Sequence, residues 1–249
     1  MDSLVKIVGV IQARMGSERL RGKVLAPLIQ SESILSTLLR RIESSDIEWW
    51  VATTNNPEDN LIESWAKHLG LQVFRGSEKN VLSRFTAIAR ITDATWIVRV
   101  TADDPFMFSD EIKKLIQMTK SAQESTSLIC DNPSDRSYPL GYCPQIVRAE
   151  ALIKVEELIP ENQSFHRTHV TSFLKESSEY IELNEEIRHP EYRWTIDTDK
   201  DLEFAQNIFR KIQNSFATAN YLDLLEVCRS NPDIVKINSG QQQKALADG

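Results

Sequence analysis

The sequence predicts an α/β protein with a largely parallel central sheet and helices on both of its faces. Two observations carry this. Through the first hundred residues, short β-branched runs alternate with amphipathic stretches, which is the βαβα order of a parallel sheet. The residues with the most evident chemistry also follow directly on apolar runs, where α/β folds place their ligands.

The elements follow in order. Ile7-Val8-Gly9-Val10-Ile11 is a continuous apolar run and reads as a buried strand over residues 6–11. Further strands are predicted over 48–53, 72–74 and 96–100. Amphipathic periodicity between them predicts helices over 34–43, 58–69 and 81–91. Asn56-Pro57 suits the start of the second helix and Gly70 its end. After Pro105, Ser109 is the expected N-cap of a helix over 110–120. The chain then changes character. Residues 131–144 are rich in Pro, Ser, Asp and aromatic side chains and read as a long loop entering a strand over 145–147. Helices are expected over 150–158 and 168–176, an antiparallel strand over 180–183 and a strand over 193–196. Helices over 200–212 and 221–228 complete a single domain spanning 1–238. From Ser239, a stretch with three consecutive glutamines reads as a disordered tail over 239–249.

Composition narrows the function classes. The chain has 249 residues, 41% hydrophobic and 26% charged, with a net charge of −7. That balance argues against a broad nucleic-acid surface but allows a local basic pocket. Cys130, Cys143 and Cys228 are widely spaced, with no CxxC pair and no disulfide framework, which fits a reducing compartment. No apolar run reaches membrane-spanning length, and Met1-Asp2-Ser3-Leu4 lacks the basic region of a signal peptide. The expectation is a cytoplasmic protein without membrane insertion. Neither GxGxxG nor GxxxxGK[ST] occurs, against dinucleotide binding and P-loop chemistry.

Three constellations carry chemistry. Residues 12–23, Gln-Ala-Arg-Met-Gly-Ser-Glu-Arg-Leu-Arg-Gly-Lys, place four cationic side chains, two glycines and a serine directly after the first strand. Turn amides and Arg/Lys side chains of this kind surround and neutralise phosphate oxygens. Trp96-Ile97-Val98-Arg99-Val100-Thr101-Ala102-Asp103-Asp104-Pro105 is an apolar strand ending in two carboxylates. Such an end can hold Mg²⁺, or can simply start an Asx turn. Trp194-Thr195-Ile196-Asp197-Thr198-Asp199 ends in acid again, and at least one acid among Asp197, Asp199 and Asp201 is expected to cap the following helix. A cationic glycine loop with two strand-end acid sites is the equipment for nucleotidyl transfer, in which charge neutralisation and alignment of an attacking oxygen do the work.

These residues also resemble a family. Val10 to Ser17, Arg19-Leu20 and Gly22 to Leu25 are similar to the signature of the cytidylyltransferases that make CMP-activated acidic sugars. The branch most resembled is that of the spore-coat-polysaccharide SpsF-like proteins, with CMP-KDO and CMP-sialic acid synthetases as relatives. The similarity continues through Val51 to Thr54, Phe74 to Ser77, Val81 to Phe85, Arg99 to Pro105 and Thr195 to Thr198, over residues 6–213. It implies a nucleotide-diphospho-sugar-transferase-like three-layer α/β fold. It also implies CMP transfer from CTP to an acidic sugar with release of pyrophosphate, for surface polysaccharide or glycan biosynthesis. Carried over, Ala13, Arg14, Ser17 and Lys23 hold the triphosphate, Gln12 and Gly16 join them in the nucleotide-binding set, and Arg84 with Thr53-Thr54 lines the cytidine side. Asp103 and Asp197 hold Mg²⁺, and Arg14, Lys23, Asp103 and Asp197 form the catalytic set. The partners implied are CTP, a sugar-acid acceptor and a second copy of the chain in a homodimer.

Several positions depart from the pattern. Arg21 stands where a proline is usual, Ala102 where a glycine is common, and Asp199 where a proline is usual. Cys143 and Gln145 are neutral where relatives carry acids, so the acceptor is expected to differ. Gln145, His166 and Arg167 are the expected acceptor-binding residues. The run from His166 to His169 reads equally as a polar helix start at an interface between copies. Two rivals stay open here. One is a metal-dependent glycosyltransferase of similar fold, and the other is a non-catalytic nucleotide-binding protein.

Overall fold

The computed structural model describes residues 5–131, 136–177, 180–183 and 186–243. Its centre is a seven-stranded sheet of β1 (Ile7–Gln12), β4 (Glu48–Thr54), β5 (Gln72–Gly76), β6 (Trp96–Thr101), β7 (Leu128–Asp131), β8 (Gln145–Arg148) and β9 (Tyr180–Leu183). The spatial order is β5-β4-β1-β6-β8-β7-β9. β1 pairs in parallel with β4 on one side and β6 on the other, β5 extends the parallel half, and β8 runs against its neighbours β6 and β7. A small hairpin, β2 (Pro27–Ile29) with β3 (Glu32–Ser33), stands apart.

The chain leaves β1 toward β4 and β5, then returns to β6 on the other side of β1. This is a topological switch point, and the crevice beyond the strands' carboxyl ends is where such sheets bind ligands. Gln12 lies level with Ala52 of β4 and Thr101 of β6, so the three segments that follow open at one place.

Helices cover both faces, because each buries one apolar stripe. α1 (Ile34–Ile42), α2 (Asn60–His68) and α4 (Ser109–Thr119) close one side with Leu35, Leu38, Ile62, Ala66, Ile112 and Leu115. α3 (Val81–Thr92), α5 (Ala149–Leu158) and α7 (Ser172–Ser177) close the other with Leu82, Phe85, Ile88, Leu152 and Leu174, and the short α6 (Ser164–Thr168) lies beside α3. α8 (Asp199–Lys211), α9 (Tyr221–Ser230) and α10 (Pro232–Val235) enclose a third, aromatic core around Phe106, Tyr138, Tyr142 and Trp194. Among the described residues no helix is long and apolar enough to cross a membrane.

The structure differs from the sequence expectation in four places. β9 runs parallel to β7, not antiparallel; β7 is a strand for which the sequence pattern gives no expectation, and it ends where the expected loop begins. Residues 193–196 are extended but join the sheet system only through a single bridge, Leu140 to Arg193. The helix expected over 168–176 is two helices, broken around Val170, whose φ is 34°. Ser109 starts α4 as its first residue after the N-cap Phe108, and its hydroxyl accepts from Ser44 Oγ at 2.8 Å. Of the stretch from Ser239, residues 239–243 are described, and Gln243 Oε1 accepts from Arg193 Nη1 at 2.7 Å. Residues 244–249 lie outside the described residues.

Candidate active site

A cavity of about 250 Å³ opens at the switch point, lined by Gln12, Arg14, Ser17, Lys23, Asp103 and Asp197 together with Glu18, Arg19, Val24, Thr101 and Ala102. Asp103 and Asp197, 80 and 174 positions from Lys23 in the chain, thus meet it in one place. At its floor is Lys23, only 7% exposed. All three ammonium donors are used: Asp103 Oδ2 accepts at 2.7 Å, Asp197 Oδ1 at 2.9 Å and the Ile196 carbonyl at 2.7 Å. Burial pulls the Lys23 ammonium down, but Asp103 and Asp197 outweigh this and hold it above the usual lysine value. Asp197 is opposed by burial yet held below the usual carboxylate range by Lys23, Arg19 and Arg193.

Local sequence puts these groups in place. Gly22 precedes Lys23 with φ 70°, a left-handed turn that turns the chain into a short 3₁₀ segment, Lys23–Leu25. Asp197 ends the extended segment because Thr198 caps α8 in a reciprocal capping box with Asp201. Asp201 is fully buried, receives Arg193 Nε at 2.8 Å and accepts from Asn238 Nδ2 at 3.1 Å. The capping role expected of one acid in this run therefore falls to Asp201, and Asp197 turns to the cavity. Ala102 is buried and does not adopt positive φ, so the usual glycine is not required here.

Asp103 and Asp104 take different roles. Asp103 faces the cavity and keeps 26% side-chain exposure. Asp104 turns inward, bonded by the Thr101 hydroxyl, and burial followed by the neighbouring Asp103 charge pushes its carboxyl up to about 8. Gly141, at φ 90°, packs over it, and a Cβ there would overlap the Thr195 backbone and the Asp104 carboxylate.

The other expected residues distribute around this centre. Arg14 is half exposed and pairs with Glu78 at 3.1 Å. The Ala13 amide donates to the Ala52 carbonyl, so the loop is pinned to β4 at its start. Gly16 and Ser17 line a second depression of about 520 Å³ with Glu18, Arg21, Asn56, Pro57 and Glu58. There Arg21 pairs with Glu58, which settles where its extra charge points. Thr53 and Thr54 are fully buried. The Thr54 hydroxyl and amide bond Asp59, whose other oxygen accepts from the Met15 amide at 2.7 Å. Asp59 thus ties the basic loop to the end of β4. Arg84 is sealed between α3 and β4, donating to the Ala52 carbonyl at 3.3 Å, with Nε and Nη2 unpartnered. Burial, then the Arg14 charge, lowers it to about 10.

The expected acceptor residues separate. Gln145 Oε1 accepts from Arg99 Nη1 at 3.2 Å and Thr171 Oγ1 at 2.9 Å. His166 bonds Ser172 Oγ at 2.9 Å and packs on Phe165 and Phe173. Arg167 Nη2 donates to the Ile159 carbonyl at 2.5 Å and its Nε to that of Pro160 at 3.3 Å, closing the end of α5. His166 and Arg167 do not line the cavity. Residues missed by sequence reasoning are Arg19, which reaches Asp197 at 3.0 Å, and Asp59, Arg99 and Arg193. Arg99 carried a signal, a charge inside an otherwise apolar strand, whereas Asp59 carried none.

A cationic glycine loop at the switch point of a mostly parallel sheet, facing two strand-end acids and a buried lysine, is an arrangement suited to a nucleotidyltransferase-type α/β protein. A family model for cytidylyltransferases matches residues 8–234, and the chain belongs to that family. It is 32% identical over 242 residues to the spore coat polysaccharide biosynthesis protein SpsF of Bacillus subtilis, covering 91% of this chain and 95% of that protein. A cytidylyltransferase from Leptospira borgpetersenii superposes with a TM-score of 0.87 at 28% identity, covering 97% of this chain and all of the other. A CMP:2-keto-3-deoxy-manno-octonic acid synthetase complexed with CTP shares the fold, with a TM-score of 0.63 at 17% identity over 83% of this chain and 99% of its own. The three-layer α/β fold and the enzyme class, a nucleotidyltransferase, stand on these findings. The glycosyltransferase and non-catalytic alternatives are set aside.

Proposed function

We propose that the chain transfers CMP from CTP to a hydroxyl of an acidic sugar and releases pyrophosphate, in the supply of activated sugars for surface polysaccharide or glycan. The observation that supports this most is the convergence of Lys23, Asp103 and Asp197 at the end of the phosphate loop. The acceptor oxygen bonds to the α-phosphorus, the bond to the bridging oxygen breaks, and pyrophosphate leaves with that electron pair. The Arg14, Arg19 and Lys23 cations neutralise the triphosphate and steady the leaving group. Thr53, Thr54 and Arg84 are fully buried and do not line the cavity; on the side assigned to the cytidine they act by holding the end of β4 and, through Asp59, the basic loop. Asp197, crowded by three cations, is a weak base, so the hydroxyl proton passes to water.

Asp103 and Asp197 fit Mg²⁺ by their chemistry. Both carboxylates already face one cation, the Lys23 ammonium, and Mg²⁺ takes one or two protein carboxylates when phosphate oxygens complete its shell. When bound there, the ion supplies charge neutralisation at the triphosphate. The working form is taken as a cytoplasmic homodimer. Calorimetric titration of each of the four nucleoside triphosphates with Mg²⁺ tests the nucleotide assignment. CTP binding at least tenfold tighter than the other three is expected, and equal binding of all four would overturn it.

A further inference from the structure

We propose that Arg99 receives the anionic group of the acceptor and makes the site select charged sugars over neutral ones. This rests on the nucleotidyl-transfer reading above.

Arg99 lies on β6 on the same face as Thr101, two residues before it, and Thr101 and Gln12 line the cavity. Its guanidinium is flanked by amides. Nη2 donates to Gln12 Oε1 at 3.2 Å and Nη1 to Gln145 Oε1 at 3.2 Å. Nε is enclosed without a partner. Two of the five N–H donors therefore meet neutral oxygens. No carboxylate lies within ion-pair distance of the guanidinium among the described residues, although charges this enclosed are ordinarily paired.

The neighbouring cations are already paired. Lys23 has Asp103 and Asp197, Arg19 has Asp197, Arg14 has Glu78, Arg21 has Glu58, and Arg193 has Asp197 and Asp201. Arg84 also lacks an acid, but it has no exposure, whereas Arg99 keeps some. A planar guanidinium with open donors matches a carboxylate in two-point contact. The Gln145 oxygen, fixed by Thr171 Oγ1, turns that side chain toward Arg99 and leaves its NH₂ as a further donor. The anion is assigned to the acceptor because the guanidinium bridges from Gln12, where the basic loop begins, to Gln145 on β8, which Thr171 fixes and which is no part of that loop.

The test measures pyrophosphate release from CTP and Mg²⁺ with a panel of free sugar acids, each beside its methyl ester. Wild type, Arg99→Gln, Arg99→Lys and Gln145→Glu are compared. The wild type is expected to favour acid over ester at least tenfold in kcat/KM. Arg99→Gln should raise the acid KM tenfold or more with the CTP KM within twofold, and Arg99→Lys should recover part of the loss. Gln145→Glu places an internal carboxylate on the guanidinium and should raise the acid KM tenfold with Arg99 intact. It decides the matter should Arg99→Gln not fold. Equal rises in both KM values, an unchanged acid KM in Gln145→Glu, or esters matching acids in the wild type would overturn the assignment while leaving CMP transfer standing. Pyrophosphate release with no sugar of the panel would remove the transfer reading and this inference with it.

Discussion

Replacing Lys23 by Met keeps the length of the side chain and removes its charge. Three hydrogen bonds disappear, two of them to carboxylates at 2.7 and 2.9 Å. Asp197 retains Arg19 and Arg193, but Asp103 has no other ion-pair partner among the described residues. Two charge-assisted bonds are each worth about 1.5–3 kcal/mol, and recovered hydration of the ammonium is lost from the balance, so the net destabilisation is about 3 kcal/mol. For a domain of this size that lowers Tm by about 6–12 °C. The pH dependence has a definite sign. Asp197 is depressed, so its contribution is present above 3.8 and lost as pH falls through its lower folded value. Lys23 is raised, so its contribution is present below 10.5 and lost as pH rises through its higher folded value. The difference between wild type and Lys23→Met, measured by urea and thermal unfolding, should therefore be flat between those limits and collapse in acid. A difference under about 0.5 kcal/mol at neutral pH would refute the clasp as a stabilising element.

Three further outcomes are expected. Asp103→Asn and Asp197→Asn should each lower Mg²⁺-dependent turnover by about a hundredfold or more, while Asp104→Asn, replacing a buried carboxyl already pushed up to about 8, should be much milder in the same steady-state assay. Arg14→Ala should weaken CTP binding by about 1–3 kcal/mol in calorimetry with Tm nearly unchanged, since its pair with Glu78 is half exposed. Glu111, which accepts from the Tyr142 hydroxyl, is pushed up to about 7 by burial; the stability it gives when neutral is present below 4.5 and lost as pH rises through 7, so Glu111→Gln should stabilise by about 1–3 kcal/mol at pH 8 and not at pH 5.

The parallel half of the fold was legible because its signals are local. β1, β4, β5 and β6 are apolar runs, and the helices between them carry apolar stripes that need only neighbouring residues to read. The second half depends on pairings between distant segments. Leu128–Asp131 is four residues, too short to separate from loop by pattern, and without it the direction of β9 had no reference. Residues 193–196 look like a strand because polar Arg193 and Thr195 alternate with apolar Trp194 and Ile196, but their neighbours are the Leu140 bridge and the aromatic core. In the site, Asp103 and Asp197 could be read as strand-end acids. That both grip Lys23, 80 and 174 residues away, could not, because nothing in a linear motif fixes which charges face one another. Arg167 reads as a cation for an acceptor, yet its guanidinium closes a helix end, a local backbone need that sequence does not display.

The central claim is CMP transfer at the Lys23–Asp103–Asp197 centre. Incubation with CTP labelled at the α-phosphate, Mg²⁺ and a panel of sugar acids tests it most directly, with product and pyrophosphate quantified together. The account predicts label in a sugar product matched one to one by pyrophosphate, and loss of both in Asp103→Asn. Label that stays in CTP with every sugar acid, or labelled product formed equally well by Asp103→Asn, would contradict it.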